Sequence, residues 1–177
     1  EVEALKIDNS LPAPRFNIVA KPNDWAKTVK QSSSGNKVTE TKLQQQAFWE
    51  KYREYGEQNG KLVRNWRKAL PQHWYNIGIG SSRGKLAAIL NSRDQLIGME
   101  LYIYSDKHLF HELEAKKDDI ENKLGYKIDW QELPTKKAAR IIITKNGDYK
   151  DDSQQDELLK WLLQKAEEFT KVFKKLL

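Results

Sequence analysis

The chain has no cysteine, one methionine and no long hydrophobic run. Without cysteine it cannot form disulfides, use a thiol nucleophile or hold zinc or an iron–sulfur cluster through thiolates. No apolar stretch approaches the ~20 residues of a membrane-spanning helix, and the first residues do not resemble a signal peptide. We therefore expect a soluble, cytoplasmic protein without a membrane partner.

The chain also lacks a dominant sign of charge. Its 31 basic and 25 acidic residues leave a net charge of +6, and the two signs are mostly interleaved. Such a balance permits binding to a polyanion, but only clustered basic side chains would favour it. Composition alone therefore leaves nucleic-acid binding open.

Residues 1–38 differ in composition from the rest. The run "LPAPRFNIVAKPNDW" is rich in proline, and "QSSSGNK" has the composition of a flexible linker. These features predict an extended arm with a mobile loop near residues 32–37. We expect the remaining residues, 39–177, to form a single domain.

The pattern of apolar residues in this domain predicts an α+β fold with the order α-β-β-β-α-β-β-α. Strands that alternate apolar and polar residues are joined by the short polar turns "SSRG" and "NSRD", which favours a mainly antiparallel sheet of about five strands with packed helices. The predicted strands are 74–80, 85–91, 95–104, 127–133 and 138–145. The predicted helices begin near residue 41, span Asp106–Leu124 and span Gln155–Leu177.

The last predicted helix carries a continuous apolar seam. Its residues recur in alternating steps of three and four: Leu159, Leu162, Ala166, Phe169, Phe173 and Leu176. Such a seam more often packs on its own sheet than on a second copy. A homodimer through this helix stays open as the alternative.

Alternation along the strands predicts one apolar and one mixed face of the sheet. The mixed face would hold Asn76, Glu100, Tyr102 and Arg140, among glycines at positions 78, 80 and 98. Glycine in a strand often marks a close approach by a ligand or another backbone. Glu100 and Arg140 are therefore interpreted either as a structural ion pair, which is the preferred explanation, or as part of a polar groove with a glycine floor.

Patterns for catalysis are incomplete. Nuclease sites of the PD-(D/E)xK type need a lysine two residues after the second acid. Here the two acids would be Asp94 and Glu100, but the residue two positions after Glu100 is Tyr102. The run "HLFHE" has the wrong spacing for a helical zinc site, so we predict no metal and no cofactor. A hydrolase built on Glu100, Asp94 and His73 would be the only reason to expect Mg²⁺.

A basic and aromatic stretch, "RNWRKALPQHW", contains Arg64, Trp66, Arg67 and Trp74. Mixed basic and aromatic side chains suit stacking on single-stranded nucleic acid. The alternative, which we favour slightly, is that the tryptophans anchor this connector to the core.

Several runs together resemble a bacterial family of unknown function, DUF4268. They are "FWEKYREY", "PQHWYNIGIG", "LNSRD", "MELYIY", "IENKLGYKIDWQELP" and "KKAARI". The resemblance spans roughly residues 39–177. It implies a domain at the carboxy end of proteins with an upstream PD-(D/E)xK nuclease-like domain, of which "EVEALKI" would be the last strand. The polar positions that match the family are His73, Asn76, Asn91, Arg93, Glu100, Lys137 and Arg140, and the family assigns no catalytic role to them.

Three functions follow in order of preference. The first is a non-catalytic accessory domain of a nuclease-like bacterial protein that positions nucleic acid. Its expected contacts are Arg64, Trp66, Arg67, Trp74, Asn76, Arg93, Lys136, Lys137 and Arg140. The second is a protein-interaction module that uses the carboxy-terminal helix, and the third is the hydrolase centred on Glu100.

Overall fold

The computed structural model describes the backbone of residues 2–5 and 13–16, and residues 39–177 in full. The chain divides into two compact units, Glu1–Val38 and Thr39–Leu177. In the first unit, strand β1 (Val2–Leu5) pairs antiparallel with strand β2 (Ala13–Phe16). The remainder of the predicted arm, including the predicted mobile loop at 32–37, lies outside the described residues.

The second unit has the predicted α+β architecture. Its elements are α1 (Glu40–Asn59), β3 (Trp74–Ile77), β4 (Gly84–Asn91), β5 (Leu96–Ile103), α2 (Lys107–Glu114), α3 (Lys117–Leu124), β6 (Asp129–Gln131), β7 (Ala139–Asn146) and α4 (Asp152–Phe173). The strands form one antiparallel sheet in the order β3-β4-β5-β7-β6. Both the fold class and the order of elements are confirmed.

The helix predicted over Asp106–Leu124 is divided into α2 and α3. Asp106 caps α2 by accepting a hydrogen bond from the Leu109 backbone N–H at 2.9 Å. At the other end, the N–H of Lys116 donates to the carbonyl of Leu113, three residues earlier. This is the spacing of a 3₁₀-helix, whereas an α-helix has a spacing of four residues. This local hydrogen bonding ends α2, although the apolar spacing continues into α3. Gly125 ends α3 in the left-handed conformation, at φ 82°, as its position predicts.

The helix α4 packs on the apolar face of the sheet. The seam residues Leu159, Leu162, Ala166, Phe169 and Phe173 are buried in the main core, together with Met99 and Leu101 of β5. Asp151 caps the helix by accepting the N–H of Ser153 at 3.0 Å. The chain's own sheet therefore covers the seam, in agreement with the preferred interpretation.

The connector between α1 and β3 is held against α1 by aromatic side chains. The Trp49 indole N–H donates to the carbonyl of Gln72 at 2.7 Å. The Trp66 ring lies edge-on to the Tyr52 ring, with 5.3 Å between the ring centres. It also lies so close to Gly56 that a Cβ atom added at position 56 would be 2.2 Å from the indole. Glycine at position 56 is needed because the indole occupies the space of a side chain. This packing supports the interpretation of Trp66 as an anchor.

Candidate functional site

The second face of the sheet carries a row of residues centred on Glu100. The register places Glu100 opposite Ala87 on β4 and Ile142 on β7, and Ala87 opposite Asn76 on β3. Side chains alternate along a strand, so this row points away from the buried face that contains Met99. The predicted placement of Glu100 opposite the main core is confirmed.

A cleft of ≈ 700 Å³ lies over this face. Its described lining includes four basic side chains and a single carboxylate, that of Glu100. The basic residues are Lys85, Arg93, Lys136 and Arg140, and the aromatic ones are His73, Trp74 and Tyr102. Positive charge therefore exceeds negative charge around the cleft, although the chain as a whole mixes the two signs.

Glu100 is a buried carboxylate whose charge is only partly compensated. Its side chain is 9% exposed, and Arg140 Nη1 lies 3.6 Å from its Oε2. Within the described part of the chain, that oxygen has no hydrogen-bond partner. Burial raises the pKa of Glu100 above its ordinary value, and the charges of Arg140 and Lys85 oppose this shift without cancelling it.

Arg140 is held between Glu100 and the edge strand β6. Its Nε donates to Gln131 Oε1 at 2.6 Å, and β6 pairs Gln131 directly opposite Arg140. The Arg140 side chain is 35% exposed. It therefore belongs both to the Glu100 pair and to the surface of the cleft. The predicted pairing of Glu100 with Arg140 is confirmed.

Lys85 and two tyrosines form a cluster beside Glu100. The register places Lys85 opposite Tyr102, and Tyr102 lies two residues after Glu100 on the same face of β5. Lys85 Nζ lies 5.7 Å from the Tyr102 ring centre and 4.9 Å from that of Tyr104. The two rings meet edge to face at 5.5 Å, and Tyr104 is 48% exposed. The cluster combines a cation with aromatic surface, two features that favour nucleic acid.

His73 and Trp74 form the aromatic side of the cleft. Their rings lie 4.6 Å apart, edge to face. The His73 carbonyl accepts the N–H of Leu90 at 2.8 Å, which fixes this segment next to β4. Partial burial lowers the pKa of His73, so its imidazole is mostly neutral near pH 7.

The structure does not bring all of the predicted nucleic-acid contacts together. Arg64, Trp66 and Arg67 line a separate cavity of ≈ 530 Å³ with Gly78 and Gly80. The basic and aromatic stretch is therefore divided: its first part faces this second cavity, whereas Trp74 faces the cleft.

Two further predicted contacts are missing from the described lining of the cleft, Asn76 and Lys137. Asn76 lies in the Glu100 row but its Oδ1 is buried without a hydrogen-bond partner in residues 39–177. Lys137 is exposed.

The glycine floor that the groove alternative requires is not formed. Gly78 and Gly80 follow the end of β3 and lie in the second cavity. Gly98 is on the correct face, but a Cβ there would lie 2.9 Å from Ile89 Cγ1 and 3.1 Å from the carbonyl oxygen of Ile143. Its glycine accommodates the neighbouring strands, so the closely approaching group is protein.

The three hydrolase candidates are not assembled. Glu100 and His73 line the cleft, but Asp94 stabilises the β4–β5 turn, where its carboxylate accepts from Asn91 Nδ2 at 2.8 Å and its N–H donates to Asn91 Oδ1 at 3.1 Å. Within the described residues, no three or more His, Asp or Glu side chains are grouped to hold a metal ion. His108, from the run "HLFHE", instead pairs with Glu112 on the same helix at 3.0 Å.

The family described as Domain of unknown function (DUF4268) matches residues 44–177. The chain belongs to the DUF4268 family. No curated protein and no solved structure matches the chain. Among the helices of the described residues, none is long and apolar enough to cross a membrane.

The predicted nucleic-acid contacts did not include Lys85 and Gln45, which also line the DUF4268 cleft. Alternation along β4 indicates Lys85, because it places this residue with Ala87 and Asn91 on the face of Glu100. Gln45 belongs to α1, and no local pattern relates that helix to the cleft.

Proposed function

We propose that this domain is a non-catalytic accessory module that positions nucleic acid in a nuclease-associated bacterial protein. The observation that carries the proposal is the cleft lining of four basic side chains around one buried carboxylate. Nucleic-acid backbones are bound mainly through such cations, which neutralise phosphates and release counterions. The family resemblance supplies the nuclease context, with the upstream domain as the expected partner.

The positions of the cations suit an extended polyanion. Lys85 and Asn91 mark the two ends of β4, six residue steps or about 20 Å apart. Arg140 lies near the Lys85 end through its pairing with Tyr102, and Arg93 follows Asn91 at the other end. Phosphates bound at both ends would belong to different nucleotides of one strand.

Aromatic residues in the cleft support a stacking contribution. Tyr102 lies beside Lys85 at one end, and Trp74 pairs opposite Ile89 toward the other. Stacking of a base on an aromatic ring contributes ~1–3 kcal/mol and tolerates any base. We propose Trp74 and Tyr102 as the stacking residues, and we leave Trp66 out because it packs against Gly56.

The assembly alternative has less structural support. The α4 seam that suggested it is buried by the chain's own sheet, and exposing it would open the core. The homodimer itself stays a prediction, with sedimentation velocity as its direct measurement.

Fluorescence anisotropy of labelled single- and double-stranded oligonucleotides tests the proposal. The cleft variants are Arg93→Glu and Lys136→Glu. The matched control is Lys160→Glu, which reverses an exposed charge on α4. Arg140 is left unchanged because it pairs with Glu100.

We expect affinity to fall steeply with salt, and each cleft variant to reduce the slope of log K against log salt by about 1. The control should reproduce the wild-type slope. Absence of binding at the lowest salt, or equal losses in all three variants, would contradict the proposal.

A further inference from the structure

The second cavity lies between the connector and the segment that follows β3. Arg64 and Arg67 line it from the connector, and Gly78 and Gly80 line it from the opposite side. Both arginines and both glycines are exposed. A ligand from solution can therefore reach the charged side chains and the glycine backbone at the same time.

The charge of the second cavity is positive. Glu57 is the one carboxylate in its described lining, and Arg53 Nη1 lies 2.7 Å from the Glu57 Oε1 atom. The carboxylate is thus compensated by an arginine outside the lining. It leaves the charges of Arg64 and Arg67 available to an anion.

The two glycines leave the backbone open to a ligand. A Cβ added at position 78 or 80 would meet no atom within 4 Å, whereas the space beside Gly98 is filled by neighbouring strands. Gly80 has a φ of 81°, which favours glycine, but neither packing nor a positive φ accounts for glycine at position 78. Within residues 39–177, the backbone N–H groups of Gly78 and Gly80 donate to no other backbone group. They are therefore available as donors.

The arginines extend from a backbone that is held in place. The Tyr75 hydroxyl donates to the carbonyl of Arg67, which ties the connector to β3. The Glu167 carboxylate accepts the N–H groups of residues 61–63, and the Trp66 ring packs against α1. A site whose backbone is already fixed loses less conformational entropy when a ligand binds.

We propose that the second cavity binds a phosphate group, with Arg64 and Arg67 as the cations and the N–H groups of Gly78 and Gly80 as further donors. The cavity is separate from the cleft, so this inference goes beyond the proposed function. Its volume of ≈ 530 Å³ exceeds that of one phosphate, which leaves space for the molecule that carries the group.

Phosphate matches these donors in charge and in shape. It presents several acceptor oxygens, and the planar guanidinium group binds pairs of such oxygens through two parallel hydrogen bonds. Backbone N–H groups in turns that contain a left-handed residue commonly complete anion sites. A metal cation would be repelled by the two arginines, and a carboxylate has too few oxygens for two guanidinium groups and two amides.

The test follows the amide resonances of Gly78 and Gly80 by NMR in the full 177-residue chain. Inorganic phosphate is added at constant ionic strength, with acetate as the control for a general effect of anions. The variants are Arg64→Gln and Arg67→Gln. The matched control is Lys68→Gln, which removes an exposed charge of the connector outside the described lining.

Inorganic phosphate should shift both glycine resonances to saturation, and acetate should not. Each arginine variant should weaken phosphate binding on the order of tenfold, because it removes a charge-assisted hydrogen bond. Lys68→Gln should bind phosphate as the wild type does.

Two larger probes identify the molecule that carries the phosphate. Ribose 5-phosphate represents a small phosphorylated compound, and 5′-phosphorylated trithymidine represents the end of a strand. The probe that binds more tightly than inorganic phosphate gives the source, and equal binding of all three would assign the site to the phosphate group alone.

Equal shifts with acetate, or phosphate shifts that persist in both arginine variants, would overturn the inference. The proposed function would stand in either case, because its cleft variants, Arg93→Glu and Lys136→Glu, change no residue in the described lining of the second cavity.

Discussion

Arg140 approaches Glu100 diagonally across β5 and β7, with its Nη1 3.6 Å from Glu100 Oε2. The residue directly opposite Arg140 is Tyr102. The separation permits attraction between the charges but is too long for an ordinary hydrogen bond. Arg140 instead donates its Nε to Gln131 at 2.6 Å. The buried carboxylate is thus poorly stabilised by the fold itself.

The first prediction concerns this pair and stability. Arg140→Gln should lower the free energy of unfolding by about 1–3 kcal/mol, because it leaves Glu100 buried without its nearest cation. Glu100→Gln should be neutral or stabilising, since it removes the charge that burial disfavours. Urea unfolding near neutral pH gives both values.

The double variant is the control for this prediction. With Glu100→Gln already present, Arg140→Gln should lower the free energy of unfolding much less than it does in the wild type. The difference between the two losses measures the coupling between the two side chains. Equal costs in both backgrounds would show that Arg140 stabilises the fold through Gln131 alone.

The second prediction is a pH dependence with a defined sign. Burial raises the folded-state pKa of Glu100 above its ordinary value of 4.5. Between the unfolded and the folded pKa, the native state binds more protons, so stability falls as pH rises through this window. Below the window the group is protonated in both states, and above it the penalty is constant.

Comparison of the wild type with Glu100→Gln isolates this contribution from other titrating groups. The wild type should lose stability relative to the variant as pH rises from about 4.5, and the difference should then level off. Urea midpoints across a pH series measure it. A wild type that gains stability relative to Glu100→Gln over this range would mean that Glu100 is stabilised as the anion.

The third prediction separates two tryptophans of one sequence stretch. Trp66→Leu should destabilise the fold by about 1–3 kcal/mol, because the indole packs against Gly56 and Tyr52, and should leave oligonucleotide affinity unchanged. Trp74→Leu should weaken single-strand binding by a comparable ~1–3 kcal/mol, since Trp74 lines the cleft. The pair serves as its own control, measured by urea unfolding and by anisotropy. The reverse pattern would reassign the nucleic-acid contact to the second cavity.

The fourth prediction concerns Glu167, which holds the connector after α1. Its carboxylate accepts the backbone N–H groups of Lys61 and Leu62 at 2.9 Å and of Val63 at 3.1 Å. Glu167→Ala should lower the free energy of unfolding by about 1–3 kcal/mol, because these amides lose a charged acceptor. Hydrogen exchange should accelerate at residues 61–63 in this variant and stay unchanged in Glu54→Ala. Unchanged exchange would show that the connector is held by Trp66 and its neighbours without Glu167.

Much of the fold was predictable because its signals are local. The alternating strand of Glu100 and the glycine stop at Gly125 both depend on neighbours in the chain, and both were confirmed. The division of Asp106–Leu124 into two helices was missed, since the apolar spacing continues across Lys116 while the hydrogen bonding does not.

The site was predictable in part: Glu100, Arg140 and Trp74 share a cleft, but Arg64 and Arg67 do not join them.

Which side chains share a face of each strand follows from the order of residues alone, because alternation is a property of the extended backbone. This order therefore placed Glu100 and Arg140 on one side of the sheet. Which basic and aromatic residues share a cleft with Glu100 depends on the folded sheet, because the order and register of the strands set distances between segments far apart in the chain. The folded sheet also decided that Gly98 accommodates Ile89 and not a ligand, since that contact arises only when β4 and β5 pair.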